Sequence, residues 1–309
     1  MDIQKNKDEE YESLKVENTK KVHISFSEFS LFNQCGHRHL LEKHLAIIQQ
    51  PPSIHLYFGN AVHSSIENTL KKGLTLVETI DFFRATFSKD MMDNMKETND
   101  YKNEFHNFLN QGEQILRILD LDGIFKDYEI VSIEEALYEN IHLKYYFKGF
   151  IDLVVRHKET KRYKIVDWKT SGIMWDLPKK LKDEIFLAQM RFYKFFWGKK
   201  NEIPLQDIDC GYIVLNRLRE KKDPTSTPGT LQAVDVNSTN EEIKSSLEKL
   251  ALTVKMIHID KKFPKIKQTE GVKACIFCPL KGGKHPMCNN SETQYKTFLK
   301  EHKQKKSQV

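Results

Sequence analysis

Residues Tyr145 to Thr170 read YYFKGFIDLVVRHKETKRYKIVDWKT. Both halves are rich in β-branched and aromatic residues, and the polar run His157 to Arg162 between them has the composition of a turn, so the stretch predicts a β-hairpin. Side chains on a strand alternate between faces, which places Asp167 and Lys169 on one side of the second strand. If Arg156 pairs with Tyr163, antiparallel register sets Asp152 opposite Asp167. Two carboxylates held that close in a half-buried sheet repel each other at neutral pH, and a shared proton or a divalent cation relieves the repulsion. Lys169 beside them favours ionised carboxylates and therefore a metal.

The flanking sequence supplies helices. Asn60 to Lys72 carries Val62, Ile66 and Leu70 at four-residue spacing, with His63 and Glu67 on the neighbouring face and Gly73 as a C-cap. Leu74 to Leu121 is helical in period, its phenylalanines reading as core and Asp90 to Asp100 as a loop. Glu184 to Trp197, EIFLAQMRFYKFFW, reads as an aromatic-rich helix on which Gln189 and Tyr193 lie one turn apart. Glu129 to Ile141 and Asp209 to Leu218 read as further strands, with Glu134 solvent-facing on the first of them. Ser25 to Glu28 has the pattern of a capping box opening a helix that breaks near Gly36 and ends at Pro51 and Pro52. Asn240 to Ile259 returns to helical period.

Four short motifs stand in order: Gly59-Asn60-Ala61-Val62-His63 with Glu67, then Gly149-Phe150-Ile151-Asp152, then Asp167-Trp168-Lys169-Thr170, then Gln189 with Tyr193. This order resembles the PD-(D/E)XK nuclease superfamily, and specifically its RecB/AddB-type branch. A lone D-x-K is common by chance in a lysine-rich chain, whereas four motifs in order are specific. The resemblance implies an α/β class fold, a three-layer restriction-endonuclease-like core with a central mixed β-sheet flanked by helices. It implies catalysis by Asp152, Asp167 and Lys169, and a Mg2+ or Mn2+ ion held by Asp152, Asp167, His63 and the carbonyl oxygen of Trp168. His63 has two roles under the resemblance: a ligand to the cation, or a group aiming the attacking water. Gln189 and Tyr193 are expected to face nucleic acid, the amide bonding a phosphate or base edge and the phenol stacking or hydrogen-bonding nearby.

The five cysteines form the second constellation. Cys275 and Cys278 make a C-x-x-C that brings two thiolates to one metal or cluster, and Cys288 reaches the same centre across the Gly282-Gly283 turn. Cys35, in Asn33-Gln34-Cys35-Gly36-His37-Arg38, is the natural fourth ligand. In the resembled branch such a set holds a [4Fe-4S] cluster that staples the N-terminal helix to the C-terminal segment. Here Gly36 stands where proline is commoner, and the loop between Cys278 and Cys288 is long, with His285 and His37 as rival ligands that keep zinc open as the alternative. Cys210 belongs to a strand and stays outside the cluster.

At 309 residues and 39% hydrophobic content the chain can bury a sizeable core. A net charge of +6 is compatible with a polyanionic partner but too mild to identify one. Neither a membrane-spanning run nor a secretory signal is read, so the expected address is the cytoplasm, of a host if the protein is phage-encoded. The expected organisation is a loosely attached tail over 1–22, a nuclease domain with its cysteine staple over 23–290, and a basic tail over 291–309. The expected activity is metal-dependent DNA hydrolysis, most simply exonucleolytic, in recombination, repair or phage DNA metabolism. The chain has no G-x-x-x-x-G-K-[ST] motif of its own, so any unwinding must come from a partner, a helicase or a recombination protein, and whether the protein works alone or beside one stays open. The rival expectation is a catalytically silent DNA-binding subunit on the same scaffold.

Overall fold

The structure, a computed structural model, describes residues 22–46, 53–94, 102–217, 231–264 and Cys278. The expectations for the two tails, for Pro51 and Pro52, and for Cys275, His285 and Cys288 lie outside these residues. The described residues fall into two compact units, one drawn from Met1–Ser27 and Pro52–Lys255, the other from Glu28–Pro51 and Met256–Val309.

In chain order the elements are β1 (Val22–Ser25), α1 (Phe26–Gln34), α2 (Gly36–His39), α3 (Ile54–Lys72), α4 (Leu76–Asn94), α5 (Lys102–Ile118) and α6 (Leu121–Ile124). They continue with β2 (Tyr128–His142), β3 (Tyr145–His157), β4 (Tyr163–Ser171), α7 (Leu177–Lys180), α8 (Glu184–Asn201), β5 (Ile208–Asn216), β6 (Leu231–Asp235) and α9 (Asn240–Val254). The first unit is a six-stranded mixed sheet in the order β1-β3-β4-β5-β6, with β2 pairing β3. β2 runs antiparallel along the whole of β3, so β1 and β4 share the opposite edge of β3. β1 takes Tyr145 to Lys148 in parallel pairing and β4 takes Leu153 to Arg156 in antiparallel pairing. The parallel β4–β5 pair is connected through α7 and α8, the crossover that parallel strands require.

Helices cover both faces, which gives the three layers. On one face Leu153, Val155, Val166, Trp168 and Leu215 of the sheet pack with Phe58, Val62 and Ile66 of α3 and with Phe83 and Phe87 of α4. On the other, Phe147 stacks on Phe196 of α8 with ring centroids 4.8 Å apart, and Tyr163 meets Trp197 at 5.2 Å. β2 serves both faces: Ile133 packs on the α3 side, while Glu135 accepts hydrogen bonds from Trp197 and Lys200 of α8 at 2.8 and 2.9 Å. The reversal happens at Glu134, a non-glycine residue with φ of 56° that is half-buried, where the sequence suggested a plain solvent-facing strand position.

Local sequence explains the element ends. α3 stops where Gly73 enters the left-handed region at φ 65° and donates to the Thr69 carbonyl. It starts six residues before the expected Asn60 and runs through Gly59. Asp183 caps α8 by accepting from the Ile185 and Phe186 N–H groups, and Thr239 with Glu242 forms a capping box on α9. In the second unit Cys35 is extended between two helical pieces, which is the break expected near Gly36. Gly36 is required there because a Cβ would meet the Pro264 backbone nitrogen and oxygen at 2.9 Å. That close approach accounts for glycine at this position.

Gly112 of α5 tests the packing of the helical layer. A Cβ at this position would meet the Phe83 ring at 2.0 Å, and Phe83 is fully buried and stacked on Phe87. Alanine improves helix propensity by about 1 kcal/mol, but overpacking a filled core costs about 1–3 kcal/mol. Gly112→Ala is therefore expected to lower stability in chemical denaturation; a more stable variant would show that the ring moves aside at little cost.

Candidate active site

The site forms where β1 and β4 part company on the edge of β3. Neither strand pairs with Gly149 to Asp152, the residues lying between the two ladders. Arg156 stands opposite Tyr163 and Leu153 opposite Val166, so the next position in register would set Asp152 against Asp167. The ladder stops one step short. In place of a main-chain partner, Asp152 Oδ2 accepts the Trp168 N–H at 2.7 Å. A backbone donor that would otherwise be left unpaired thus fixes the Asp152 carboxylate beside the residue lying between Asp167 and Lys169.

Asp167 and Lys169 share a face of β4 and pair at 2.5 Å between Nζ and Oδ2. Asp167 is 2% exposed. Burial pushes its carboxyl up, Lys169 pulls it back and Asp152 raises it again, leaving it at about 6. Its Oδ1 accepts from Gln189 Nε2 at 3.0 Å, and the same amide reaches the Tyr193 hydroxyl at 3.2 Å. Its Oδ2 is buried with the lysine charge beside it but no aligned hydrogen-bond donor.

The expectation that Gln189 and Tyr193 face nucleic acid meets a different geometry. They are 7% and 5% exposed and stand beneath the carboxylates. Burial raises the Tyr193 hydroxyl above its ordinary value and the Asp167 charge adds to this, so the phenol stays protonated. Gly149 makes room for that ring, since a Cβ there would lie 2.8 Å from Tyr193 Cε1. The four-residue spacing correctly put amide and phenol together; what it could not show was that the face carrying them is turned inward to Asp167.

His63 approaches from α3, its Nδ1 lying 3.5 Å from Asp152 Oδ2. Burial works against a charged imidazole, but the bond to Asp152 and the charges of Asp152 and Asp167 outweigh it, and the His63 pKa is raised. Glu67, one turn on and also buried, pairs with Lys71 at 2.7 Å. The three motif residues Asp152, Asp167 and Lys169 thus converge with His63 in one electrostatic cluster. Among the described residues no three His, Cys, Asp or Glu side chains already form a metal cage. The donor chemistry nevertheless suits a hard divalent cation: two carboxylates and an imidazole, with the buried Asp167 Oδ2 held only by an ion pair.

Of the cysteines, Cys35 and Cys278 are half-buried and belong to the second unit. Cys210 is buried on β5, where desolvation pushes its thiol up to about 12, so it is a packing residue. The second unit also gathers histidines: His39 is fully buried with Nε2 2.9 Å from Glu28 Oε1, and its ring lies 5.5 Å from that of His44. The His37 N–H donates to the Pro264 carbonyl at 3.2 Å. No helix among the described residues is long and apolar enough to cross a membrane.

Comparison with known proteins adds three findings. The family profile described as the PD-(D/E)XK nuclease superfamily matches residues 23–282. A solved structure described as "Crystal structure of SSO0001" is similar at 13% sequence identity, with 82% of this chain and 93% of that chain covered and a TM-score of 0.31. No curated protein matches the sequence.

The charge arrangement predicts a pH dependence. Asp167 binds its proton more tightly folded than unfolded, so its contribution to stability is greatest below its ordinary value of 3.8 and is lost as pH rises through about 6. The raised pKa of His63 acts in the same direction at higher pH. In buffer free of divalent cations, thermal stability is expected to fall between pH 5 and pH 8, and to fall less in Asp167→Asn. Mn2+ affinity, measured by calorimetry, is expected to rise over the same interval as the carboxyl ionises. Equal pH dependence in wild type and Asp167→Asn would overturn this assignment.

Proposed function

The chain belongs to the PD-(D/E)XK nuclease superfamily, and on that premise we propose that it is a metal-dependent deoxyribonuclease working through Asp152, Asp167 and Lys169. The observation that carries this reading is the buried Asp167 carboxylate, shared by Lys169 and Gln189 and set beside an Asp152 that is fixed to the intervening backbone. A structural ion pair needs no such convergence of two acids, an imidazole and an ammonium.

Asp152 and Asp167, with His63 and the Trp168 carbonyl, would hold Mg2+ or Mn2+. When bound, the cation supplies a water of lowered pKa and polarises the scissile phosphate. Lys169 is placed to donate to phosphate oxygens as negative charge develops on them. Its link to Asp167 keeps the ammonium on the working face of β4 while substrate is absent. Gln189 orients the Asp167 carboxylate, and Tyr193 braces Gln189 from below, so both act here as positioning residues. His63 holds the outer side of Asp152 and is available as a further ligand or to aim the attacking water.

The favoured substrates are DNA ends or single strands, in recombination, repair or phage DNA metabolism, beside a helicase that supplies unwinding, in the cytoplasm of the cell or host. In the second unit we propose that Cys35, Cys275, Cys278 and Cys288 hold a [4Fe-4S] cluster, with zinc as the alternative. Support comes from the cysteine spacing and from the grouping of Glu28–Pro51 with Met256–Val309, where Pro264 packs on the residue following Cys35. The cluster would be structural.

With Mn2+ and labelled single-stranded and duplex DNA, wild type is expected to release short products. Lys169→Ala should lower the rate by about 10²–10³-fold, the range for removing one donor to developing charge, and Asp167→Ala by at least as much. Equal rates in wild type and both variants would leave the silent DNA-binding reading in its place. Protein purified without oxygen is expected to be brown and to lose its colour in Cys278→Ala, whereas a colourless preparation with stoichiometric zinc would replace iron–sulfur by zinc.

A further inference from the structure

The catalytic lysine sits at the end of a chain of rings that leads out to the protein surface. Lys169 Nζ lies 5.6 Å from the centroid of the Tyr212 ring. Tyr212 stacks on Phe186 at 4.5 Å and meets Trp175 at 6.0 Å, and Trp175 stands edge-to-face on Phe186 at 5.2 Å. Lys180 caps this group, with Nζ 5.0 Å from the Trp175 ring and 4.9 Å from the Phe186 ring. The Trp175 backbone is pinned to β6 by two reciprocal bonds: its N–H donates to the Gln232 amide oxygen at 3.3 Å, and its carbonyl accepts from Gln232 Nε2 at 3.2 Å. The Trp175 main chain is thereby tied to the edge strand of the sheet.

The segment that builds the platform also exposes apolar side chains. Ile173 is 59% and Met174 56% exposed, and Leu181 is 42% exposed. Lys179 and Lys182 are exposed, and Lys180 between them is half-buried. The acids of the same segment are engaged locally: Asp176 and Asp183 accept main-chain N–H groups at the starts of α7 and α8, and Glu184 pairs with the buried Arg191. The exposed charge of the segment is therefore carried by its lysines, with Lys180 lying over the rings.

We propose that this surface, from Ser171 to Asp183, holds the single-stranded part of the substrate next to the catalytic centre, with bases lying on Ile173, Met174 and Trp175 and phosphates on Lys179, Lys180 and Lys182. The proposal rests on the nuclease reading for the identity of the substrate. The apolar component decides between forms of nucleic acid. A duplex hides its base faces in the stack and offers phosphates, for which exposed isoleucine and methionine have no use, whereas a single strand offers both. Continuity through Tyr212 to Lys169 decides between nucleic acid and a protein partner, since a strand lying on the platform is already beside the group that meets the scissile phosphate.

The test is binding of a fluorescein-labelled oligothymidylate and of a blunt duplex, by anisotropy without divalent cations. Ile173→Ser/Met174→Ser, at exposed positions, should weaken single-strand binding about ten-fold, the scale of roughly two methylene groups returned to water, and leave duplex affinity unchanged. Lys179→Gln/Lys180→Gln/Lys182→Gln should weaken single-strand binding and flatten its salt dependence by about 2 in log–log slope, since each phosphate contact on a single strand contributes about 0.7. Single-strand affinity within about two-fold of wild type in both variants, the result expected if the surface docks a protein, overturns the proposal. Hydrolysis of bis(p-nitrophenyl) phosphate by the wild-type protein with Mn2+ reports separately on the catalytic centre. If that hydrolysis is absent while the binding pattern holds, the nuclease reading fails and the strand-binding surface stands.

Discussion

One edge of β3 has to serve two strands, and the rest of the site follows from how that conflict is resolved. β1 occupies the edge at Tyr145 to Lys148 and β4 at Leu153 to Arg156, so the edge between them has no ladder. An unpaired buried N–H costs about 1–3 kcal/mol. The Asp152 carboxylate removes that cost at Trp168 by accepting its N–H. The same bond fixes an acid beside the residue that separates Asp167 from Lys169. A topological break and the clustering of Asp152, Asp167 and Lys169 are thus one feature, and Asp152 satisfies the backbone while it joins the cluster.

The second constraint is the burial of Asp167. A desolvated carboxylate is unfavourable unless its oxygens are engaged, and here Lys169 takes one and Gln189 the other. Gln189 is in turn only as well placed as α8. That helix is held by Arg191, itself buried, which bonds Ser238 at 3.0 Å and Ser246 at 3.2 Å and pairs with Glu242 of α9 at 3.4 Å. Placement of the Asp167 carboxylate therefore depends on a network extending through two helices on that face of the sheet.

The second unit is built from chain segments far apart in sequence, Glu28–Pro51 and Met256–Val309. The approach of Pro264 to Gly36 and the rings of Phe32, His39 and His44 around Phe263 supply its described packing. Bringing together two distant pieces costs chain entropy, which the packing within the unit has to offset.

Local chemistry made the hairpin, its register, the helix ending at Gly73 and the break at Cys35 legible in the sequence, because alternation, turn composition and capping act within a few residues. The grouping of Asp152, Asp167 and Lys169 was legible for the same reason: all three lie on one hairpin whose register follows from its own residues. The short β1 was not, because four residues become a strand only by borrowing the edge of β3. Neither was the reversal at Glu134, whose positive φ accompanies the turn of β2 from one helical layer to the other. Gln189 and Tyr193 show the division most plainly. Helical spacing puts them together on one face of α8, but a helix has no way to state which neighbour that face will meet, and only the packing of α8 against the sheet turned them from expected nucleic-acid contacts into the buried support of Asp167.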